Sequence, residues 1–233
     1  MTKILVIGKN GQLGKSIRRL VVNTAQTDDF IFVGRKELDL SKSESIANYC
    51  NGKKFDIIIN CAAYTAVDKA EEEVEVANQI NHLAVGQLAQ IAQKQRAKLI
   101  HISTDYVFDG ESDKSYTETD ATNPINVYGK TKLAGEKAIQ KAMPTNAIII
   151  RTSWVYSEYG NNFVDTMLRL GRERDELSVV SDQIGSPTYA ANLAGAILEI
   201  IKNEEFKNLD QVARIYHYSD KGIISWYQFA KEI

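Results

Sequence analysis

The chain has 233 residues, of which 44% are apolar and 25% charged, and this composition is typical of a globular protein. Its 28 basic and 30 acidic residues give a formal net charge of −2, so the chain lacks the strongly basic field of a protein whose main partner is nucleic acid. No apolar run reaches the roughly 20 residues of a membrane-spanning helix. We therefore expect neither nucleic acid nor a membrane as a partner.

Short β-branched runs alternate with helical stretches over the first two thirds of the chain. The strands are almost continuously apolar, as in a parallel sheet that is buried on both faces. This alternation predicts an α/β fold with a doubly wound parallel sheet. The strands are predicted at 4–7, 30–33, 56–60, 98–102 and 147–151, and the helices at 12–22, 43–49, 74–95 and 127–143. The apolar stripe of the long helix 74–95 is predicted to consist of Val76, Ile80, Leu83, Leu88 and Ile91.

After residue 152 this rhythm breaks. Helices are predicted near 162–174 and 190–203, and the sequence LSVVSDQIGSPT separates them. A last helix is predicted in ISWYQFAKEI, with Ser225 as its N-terminal cap. This part of the chain is typical of a smaller lobe attached to the sheet.

A glycine-rich loop follows the first predicted strand. Its G-x-x-G-x-x-G spacing begins at Gly8 and ends at Gly14. Glycine lets the backbone approach a ligand closely, and the helix that begins near Gln12 points free N–H groups at a pyrophosphate. The position between the first strand and the first helix favours dinucleotide binding over a structural turn. The predicted cofactor contacts of this loop are Gly8, Asn10, Gly11, Gln12 and Leu13.

The end of the second predicted strand decides between two cofactors. An acidic residue there bonds the ribose 2′-hydroxyl of NAD, whereas an arginine can pair with the 2′-phosphate of NADP. Arg35 and Lys36 occupy this place, so we predict NADPH, with NADH as the open alternative and a solvated turn as the purely structural one. Asp39 and Leu40 follow and are predicted to be further cofactor contacts, although Asp39 could instead cap a turn.

Two further stretches carry candidate catalytic residues. Thr104 follows the fourth predicted strand, at the carboxyl end, where ligands of open α/β sheets lie. Tyr128 and Lys132 are four apart and share one face of the next predicted helix. A neighbouring ammonium lowers the pKa of a phenol, which brings it nearer the range for proton exchange with a carbonyl or an alcohol. The Thr104 hydroxyl can hold the same oxygen. The alternative is an incidental surface pair of Tyr128 and Lys132.

Together these motifs resemble the short-chain dehydrogenase/reductase superfamily, in its extended branch that acts on nucleotide sugars. Within that branch the chain is most similar to the dTDP-4-dehydrorhamnose reductases. The stretches that carry this closer resemblance are NCAAYTAVDKAE (60–71), STDYVFDG (103–110), NVYGKTKLAGE (126–136), RTSWVY (151–156), NNFVDTMLRL (161–170) and DQIGSPT (182–188).

The resemblance implies an NAD(P)-binding, Rossmann-like domain over 1–152 and a substrate-binding lobe over 153–233. This division leaves room for some later strands and helices to return to the first domain. Because such proteins usually continue for several dozen residues, the resemblance also implies that the chain is a fragment with an incomplete lobe.

The resemblance also assigns roles to residues. Tyr128 would protonate the C4 oxygen of the sugar, Lys132 would lower the pKa of that tyrosine and bond the nicotinamide ribose, and Thr104 would bond the sugar carbonyl. Asp105 and Trp154 would contact the sugar nucleotide, although Trp154 could equally be a core residue. The cofactor path after the third strand would be lined by Ala62, Ala63, Tyr64 and Thr65, of which Tyr64 could simply pack.

The implied activity is NADPH-dependent reduction of dTDP-4-dehydro-L-rhamnose to dTDP-L-rhamnose, for nucleotide-sugar and cell-surface polysaccharide biosynthesis. A dehydratase of the same branch carries Thr-Asp-Glu, whereas this chain has Tyr106 in the place of the glutamate, so dehydration is disfavoured. Another nucleotide-sugar 4-reductase or an epimerase stays open, because it uses the same tyrosine and lysine. A rival of another class is a non-catalytic NADP-binding regulatory subunit, like that of methionine adenosyltransferase. A homodimer is compatible with each of these.

Cysteine and histidine provide no metal-binding pattern. Cys50 and Cys61 lack the spacing of metal ligands and fit a reducing, cytoplasmic setting. His101 lies in the fourth predicted strand, where we expect it to be packed or bonded to the backbone. We therefore predict no metal site.

Overall fold

A computed structural model describes residues 1–23, 27–207 and 213–233. The strands are β1 (Lys3–Ile7), β2 (Asp29–Val33), β3 (Ile57–Asn60), β4 (Lys98–Thr104), β5 (Ala147–Thr152), β6 (Val155–Tyr156), β7 (Ile184–Gly185), β8 (Thr188–Tyr189), β9 (Arg214–Tyr218) and β10 (Ile224–Ser225). The helices are α1 (Gln12–Asn23), α2 (Ser43–Cys50), α3 (Val67–Ala70), α4 (Val74–Asn78), α5 (Ala84–Gln95), α6 (Val127–Ala142), α7 (Phe163–Glu173), α8 (Ala190–Lys202), α9 (Glu204–Lys207) and α10 (Trp226–Glu232).

The central sheet has the order β2-β1-β3-β4-β5-β9, and every neighbouring pair is parallel. The parallel sheet predicted from the apolar runs is therefore confirmed. The sixth strand, β9, comes from residues 214–218 and pairs with β5, so a segment beyond residue 152 returns to the sheet.

Alternate residues of each strand face two separate layers of core. In β1, Ile4 and Val6 belong to a cluster with Leu193 and Ile197 of α8, on the face that α1 also covers. Leu5 belongs to a second cluster on the opposite face, which α2, α5 and α6 cover. Because side chains of a strand alternate between faces, an apolar residue at every position is what burial on both sides requires.

The long helix predicted at 74–95 is interrupted. A single π-helical turn, Gln79–Leu83, lies between α4 and α5. The predicted stripe is wrong at Val76 and Leu83, which are 41% and 50% exposed. The turn rotates the following helix relative to an ideal α-helix, so the buried face shifts to smaller residues. These buried residues are Ala77, Asn81, Ala84, Val85, Leu88, Ala89 and Ala92.

The later part of the chain adds two small sheets beside the carboxyl edge of the main sheet. β6 pairs with β8 in parallel, and β7 pairs with β10 in antiparallel orientation. The predicted cap at Ser225 is confirmed, because its hydroxyl accepts the N–H of Gln228 while the Gln228 side chain accepts the N–H of Ser225. No helix among the described residues is long and apolar enough to cross a membrane.

Candidate active site

The candidate site lies at the carboxyl edge of the sheet, where the ends of adjacent parallel strands meet. Ile7 of β1 is in register with Asn60 of β3, and Thr104 of β4 is in register with Thr152 of β5. The glycine loop, the segment 61–65 and the segment after Thr104 therefore leave the sheet side by side. Open α/β sheets bind their ligands at this edge.

The glycine loop is built for close backbone approach. Gly8 has a φ of +97°, and a Cβ there would lie 2.9 Å from the backbone nitrogen of Ala62. A Cβ on Gly14 would lie 2.2 Å from the carbonyl oxygen of Gly8. A side chain at Gly8 would push the loop away from segment 61–62, and one at Gly14 would push α1 away from the loop. The loop thus holds the N-terminus of α1 at the edge of the sheet, which is the cradle that a pyrophosphate fits.

The side chains at the start of α1 have other partners. The Gln12 amide donates to the carbonyl oxygen of Val155 at 3.2 Å and accepts from Ser157 Oγ at 2.8 Å, so it joins α1 to the smaller lobe. Leu13 is 7% exposed and lies in the core. If these residues bind a cofactor, as predicted, they do so with backbone N–H groups.

Two cations lie near the end of β2, each beside a carboxylate. Arg35 is 77% exposed, and its Nε lies 3.5 Å from Asp39 Oδ2. Lys9, from the glycine loop, donates to Glu37 Oε1 at 2.5 Å, and this hydrogen bond lowers the pKa of the Glu37 carboxyl. A Cβ on Gly34 would lie 2.9 Å from Asn10 Nδ2, so a side chain at position 34 would require the Asn10 amide to move.

Asp39 and Leu40 are placed in structural roles. Asp39 Oδ1 accepts the N–H of Ser41 at 3.0 Å, which is the turn-capping arrangement considered as its alternative. Leu40 is 5% exposed and belongs to the core between the sheet and α2. Their contact with a cofactor stays a prediction.

The segment of predicted cofactor contacts after β3, Ala62–Thr65, is held by the π-helical turn. Asn81 is 1% exposed, and its side chain accepts the N–H of Tyr64 at 2.9 Å and donates to the Tyr64 carbonyl at 3.1 Å. The same amide donates to Thr131 Oγ1 of α6 at 3.3 Å. The Tyr64 hydroxyl points away to Glu73 Oε2, 2.8 Å distant. Asn81 therefore fixes this segment relative to α6, which carries Tyr128, and π-helical turns are frequent at such functional sites.

Two hydroxyls and one carboxyl lie together at the end of β4. They belong to Thr104, Tyr128 and Asp105. Thr104 Oγ1 donates to Asp105 Oδ1 at 2.9 Å, and the Thr104 hydroxyl lies close enough to the Tyr128 phenol to act against the rise of its pKa. A hydroxyl carries one proton, so rotation of the Thr104 hydroxyl directs it to Asp105 or to Tyr128. Burial raises the pKa of Asp105 to about 6. The ring of Tyr106 packs edge-on against that of Tyr128, with 5.5 Å between centroids.

The structure corrects one electrostatic prediction. Burial raises the pKa of Tyr128 well above its ordinary value, although the Thr104 hydroxyl acts in the opposite direction. Lys132 does not lower it, because its ammonium lies at the sheet and donates to the carbonyl oxygen of Ile102 at 2.6 Å. Burial lowers the pKa of Lys132 itself to about 8, against the opposing charge of Glu136.

His101 is packed beside this lysine, as predicted for a structural histidine. Its Nδ1 lies 3.1 Å from Asn60 Nδ2 and its Nε2 lies 3.4 Å from Lys132 Nζ. Asn60 Oδ1 accepts the N–H of Ala62 at 3.1 Å, which orients the amide so that its NH₂ group faces the histidine. The pKa of His101 lies well below its ordinary value because the ring is buried and Lys132 is close. Among the described residues, no group of three or more histidine, cysteine and acidic side chains is arranged to hold a metal ion.

A buried ion pair lies one turn beyond Lys132. Arg151 of β5 donates to both carboxylate oxygens of Glu136, at 3.0 and 2.7 Å, and Ser103 Oγ donates to Glu136 Oε1 at 2.5 Å. The side chains of Arg151 and Glu136 are 4% and 1% exposed. The pair therefore ties α6, which carries Tyr128 and Lys132, to the ends of β4 and β5.

The comparisons with known proteins agree with this geometry. The RmlD substrate binding domain family matches residues 1–233. This chain belongs to that family. A dTDP-4-dehydrorhamnose reductase of Aggregatibacter actinomycetemcomitans is 41% identical over 99% of this chain and 77% of its own length.

Solved structures of the same family have the same fold. The crystal structure of a dTDP-4-dehydrorhamnose reductase from Clostridium acetobutylicum is 42% identical, with a TM-score of 0.91 over 99% of this chain and 79% of that one. The enzyme of that name from Bacillus anthracis, in complex with NADP, is 41% identical, with a TM-score of 0.90 over 100% of this chain and 79% of that one.

Several residues of this RmlD-family site escaped the sequence analysis. Asn81 was predicted only to lie on a helix. The signal that could have revealed its role is an asparagine in an otherwise apolar helix face. Glu136 and Arg151 gave no signal, because nothing in a sequence shows that two charged residues on different elements meet. Lys9 was treated only as loop, although its place beside the second strand follows from the parallel pairing of β1 and β2.

Proposed function

We propose that this chain is an NADPH-dependent reductase that converts the C4 keto group of dTDP-4-dehydro-L-rhamnose to the alcohol of dTDP-L-rhamnose. The observation that carries the proposal is the placement of the Thr104 and Tyr128 hydroxyls beside each other, at the edge where the glycine loop and segment 61–65 also end. The names and the NADP complex of the relatives, each about four-tenths identical over nearly the whole chain, supply the substrate and the cofactor.

The chain's own residues would bind the keto oxygen and supply a proton. NADPH, when bound, supplies the hydride that reaches C4. The hydroxyls of Thr104 and Tyr128 donate to the C4 oxygen, and Tyr128 transfers its phenolic proton to that oxygen as negative charge develops there. Lys132, four residues further along α6, lies on the same helix face as Tyr128. The keto group thus gains one hydride and one proton and becomes the alcohol.

The cofactor is proposed to lie over the glycine loop with its adenosine ribose at the end of β2. The N–H groups at the start of α1 would bind the pyrophosphate. Arg35 and Lys9 would pair with the 2′-phosphate, each leaving the carboxylate that it contacts, Asp39 or Glu37. NADH lacks that phosphate and would lose these two pairings.

The test is NADPH consumption on addition of dTDP-4-dehydro-L-rhamnose, with Tyr128→Phe as the variant. Phenylalanine keeps the ring and deletes the transferable proton, so we expect kcat to fall by about 10²–10⁴-fold while NADPH affinity is retained. Tyr227→Phe is the matched control, because Tyr227 is exposed on α10 and its loss of a hydroxyl should leave kcat unchanged.

The outcomes also separate the rival activities. An epimerase would interconvert the nucleotide sugar without net consumption of NADPH. A regulatory subunit would bind NADPH and show no turnover. Near-normal kcat in Tyr128→Phe would refute the role of this residue as the acid, whichever sugar is used.

We also propose that the protein works in the cytoplasm, because both cysteines are free and NADPH-dependent synthesis of nucleotide sugars takes place where the reduced cofactor is found. A homodimer is part of the same proposal, and sedimentation of the purified chain would test it.

A further inference from the structure

Segment 155–162 of the smaller lobe lies against α1, the helix that follows the glycine loop. The segment connects the end of β5 to α7, and Thr152 of β5 is in register with Thr104. The predicted substrate contact Trp154 comes directly before it, and its indole stacks on Trp226 with 3.5 Å between ring centroids. A displacement of this segment would therefore move the lobe relative to the edge of the sheet where the proposed reduction takes place.

The lobe around this segment is packed only shallowly. None of the 11 residues of α7 is buried, although its first residue, Phe163, packs against Trp226 and Phe229. β6 and β8 contribute only two residues each to their sheet. Regions with few buried apolar contacts have low local stability. The position of segment 155–162 therefore depends on the polar side chains that tie it to its neighbours.

One face of α1 supplies these side chains. Gln12, Lys15 and Arg19 follow one another at intervals of three and four residues, so they lie on the same side of the helix. Arg19 pairs with Glu158 at 2.5 Å, but the two side chains are 55% and 42% exposed, and exposed ion pairs contribute little. The Lys15 ammonium lies 5.4 Å from the centre of the Tyr159 ring. Gln12 is left as the stronger tie.

The Gln12 amide bonds to three places in the segment. Its Nε2 donates to the carbonyl oxygen of Val155 at 3.2 Å, and its Oε1 accepts from Ser157 Oγ at 2.8 Å and from Asn162 Nδ2 at 3.1 Å. Because the Val155 carbonyl can only accept and the Asn162 amide nitrogen can only donate, position 12 requires a side-chain amide. Asn162 in turn caps α7, since its Oδ1 accepts the N–H of Asp165 at 3.2 Å. Gln12 thus holds both ends of the segment.

The backbone of Gln12 faces a different ligand from its side chain. Gln12 is the first residue of α1, and the N–H groups of a first helical turn have no carbonyl partner inside the helix. In the proposed function these groups bind the pyrophosphate of NADPH. A ligand that fixes the backbone of Gln12 also restricts segment 155–162, because three hydrogen bonds of the amide connect the two. When one ligand orders a part of the protein that a second ligand also needs ordered, the second ligand binds more tightly.

We propose that Gln12 is a positioning residue that couples the glycine loop to the smaller lobe, so that NADPH and the nucleotide sugar each strengthen the binding of the other. This inference rests on the proposed reductase function. Gln12 does not need to touch the nucleotide sugar, because it acts through Val155, Ser157 and Asn162. Linkage requires that the factor by which NADPH tightens nucleotide-sugar binding equals the factor by which the nucleotide sugar tightens NADPH binding.

The coupling can be measured with the reaction product, because NADPH and dTDP-L-rhamnose are both in the reduced form and cannot react with each other. Calorimetry gives the Kd of dTDP-L-rhamnose without NADPH and with saturating NADPH, and the ratio of the two values is the coupling factor. For the unmodified chain we expect a factor of about 5–150. Gln12→Met keeps the length of the side chain and the backbone N–H but removes all three hydrogen bonds, so its factor should fall to about 1.

Gln95→Met is the matched control. Gln95 of α5 accepts the N–H of Phe55 at 2.9 Å and donates to the carbonyl oxygen of Lys53 at 3.0 Å, at the amino edge of the sheet. The same substitution there removes comparable bonds away from the glycine loop, so the coupling factor should equal that of the unmodified chain. A factor of about 1 in the unmodified chain, a factor retained in Gln12→Met, or an equal loss in Gln95→Met would overturn the proposal.

Amide hydrogen exchange provides a readout that needs neither the sugar nor turnover. NADPH should slow exchange in segment 155–162 of the unmodified chain and of Gln95→Met, and should have no effect there in Gln12→Met. Exchange in this segment that does not respond to NADPH in the unmodified chain would contradict the coupling.

Ser157→Ala covers the case in which Gln12→Met fails to fold. It removes one of the two donors to Gln12 Oε1 from the side of the lobe, so the coupling factor should fall, and an undiminished factor would overturn the role of Gln12. Failure of the unmodified chain to reduce the keto sugar would instead refute the proposed function. The response of hydrogen exchange to NADPH would still show whether Gln12 joins the loop to the lobe.

Discussion

Removing the charge of Arg151 should destabilise the protein far more than removing an exposed arginine. In Arg151→Met the Glu136 carboxylate, 1% exposed, keeps only the Ser103 hydroxyl of its three donor bonds. Leaving one partner of a buried ion pair uncompensated costs roughly 3–5 kcal/mol. For a chain of this size the free energy of unfolding falls by about 3 kcal/mol per molar urea. The urea concentration at the unfolding midpoint should therefore fall by about 1–1.7 M.

The assay is urea unfolding followed by tryptophan fluorescence, with Arg169→Met as the matched control. Arg169 pairs with Glu173 at 2.9 Å on α7, but the two side chains are 57% and 52% exposed. Such a pair contributes about 0.3–0.5 kcal/mol, so the midpoint should move by only about 0.1–0.2 M.

A double variant distinguishes an unpaired charge from lost packing. Arg151→Met combined with Glu136→Met replaces the pair by apolar side chains, and such replacements are often neutral in stability. We expect the double variant to recover most of the lost midpoint. A single-variant shift no larger than that of Arg169→Met, or a double variant as unstable as Arg151→Met, would refute the reasoning.

Three further predictions concern the cofactor and pH. Lys9→Met and Arg35→Met should each weaken NADPH binding by about 1.5–3 kcal/mol and leave NADH binding nearly unchanged, and equal weakening of both cofactors in titrations would contradict this. Asp105→Asn should raise the free energy of unfolding near neutral pH. The folded pKa of about 6 lies above the ordinary value of 3.8, so the carboxylate destabilises the fold as pH rises through this interval, by at most about 3 kcal/mol. Urea denaturation of the unmodified chain and of Asp105→Asn at several pH values checks that their difference in unfolding free energy disappears below the ordinary pKa of the carboxyl. Reduction should slow as pH rises through about 8, where Lys132 loses its charge, and a rate that stays flat there would show that this charge is not needed.

The sequence was sufficient for features that depend on local chemistry. The alternating strands of the main sheet, the glycine loop and the cap at Ser225 were all predicted, because each depends on residue types within a short stretch. The bounds and pairing of strand β9 were not predicted, although the return of a later strand to the first domain was left open, since this strand carries Arg214 and His217 among its five residues. Edge strands of this kind carry a weaker apolar pattern than central ones.

Features that depend on two distant elements could not be predicted. The π-helical turn at 79–83 is set by the packing of Asn81 against Tyr64 and α6, and apolar periodicity contains no trace of it. The effect of Lys132 on Tyr128 was predicted from their spacing on a helix. Spacing gives the shared face but not the depth of burial, and burial turned out to govern both pKa values.

The two pKa shifts together fit the acid role that we propose for Tyr128. An acid in a reduction must hold its proton until the keto oxygen gains negative charge. Burial keeps the Tyr128 phenol protonated at neutral pH, and a developing alkoxide is more basic than a phenolate, so the proton moves when the hydride arrives and not before. Lys132, with a pKa of about 8, still carries its charge at neutral pH. The opposite reaction, oxidation of an alcohol, needs a phenolate at the outset, and burial disfavours that form. The environment that contradicts the simple expectation of a lowered tyrosine pKa therefore keeps Tyr128 in the protonated form that the proposed reduction requires.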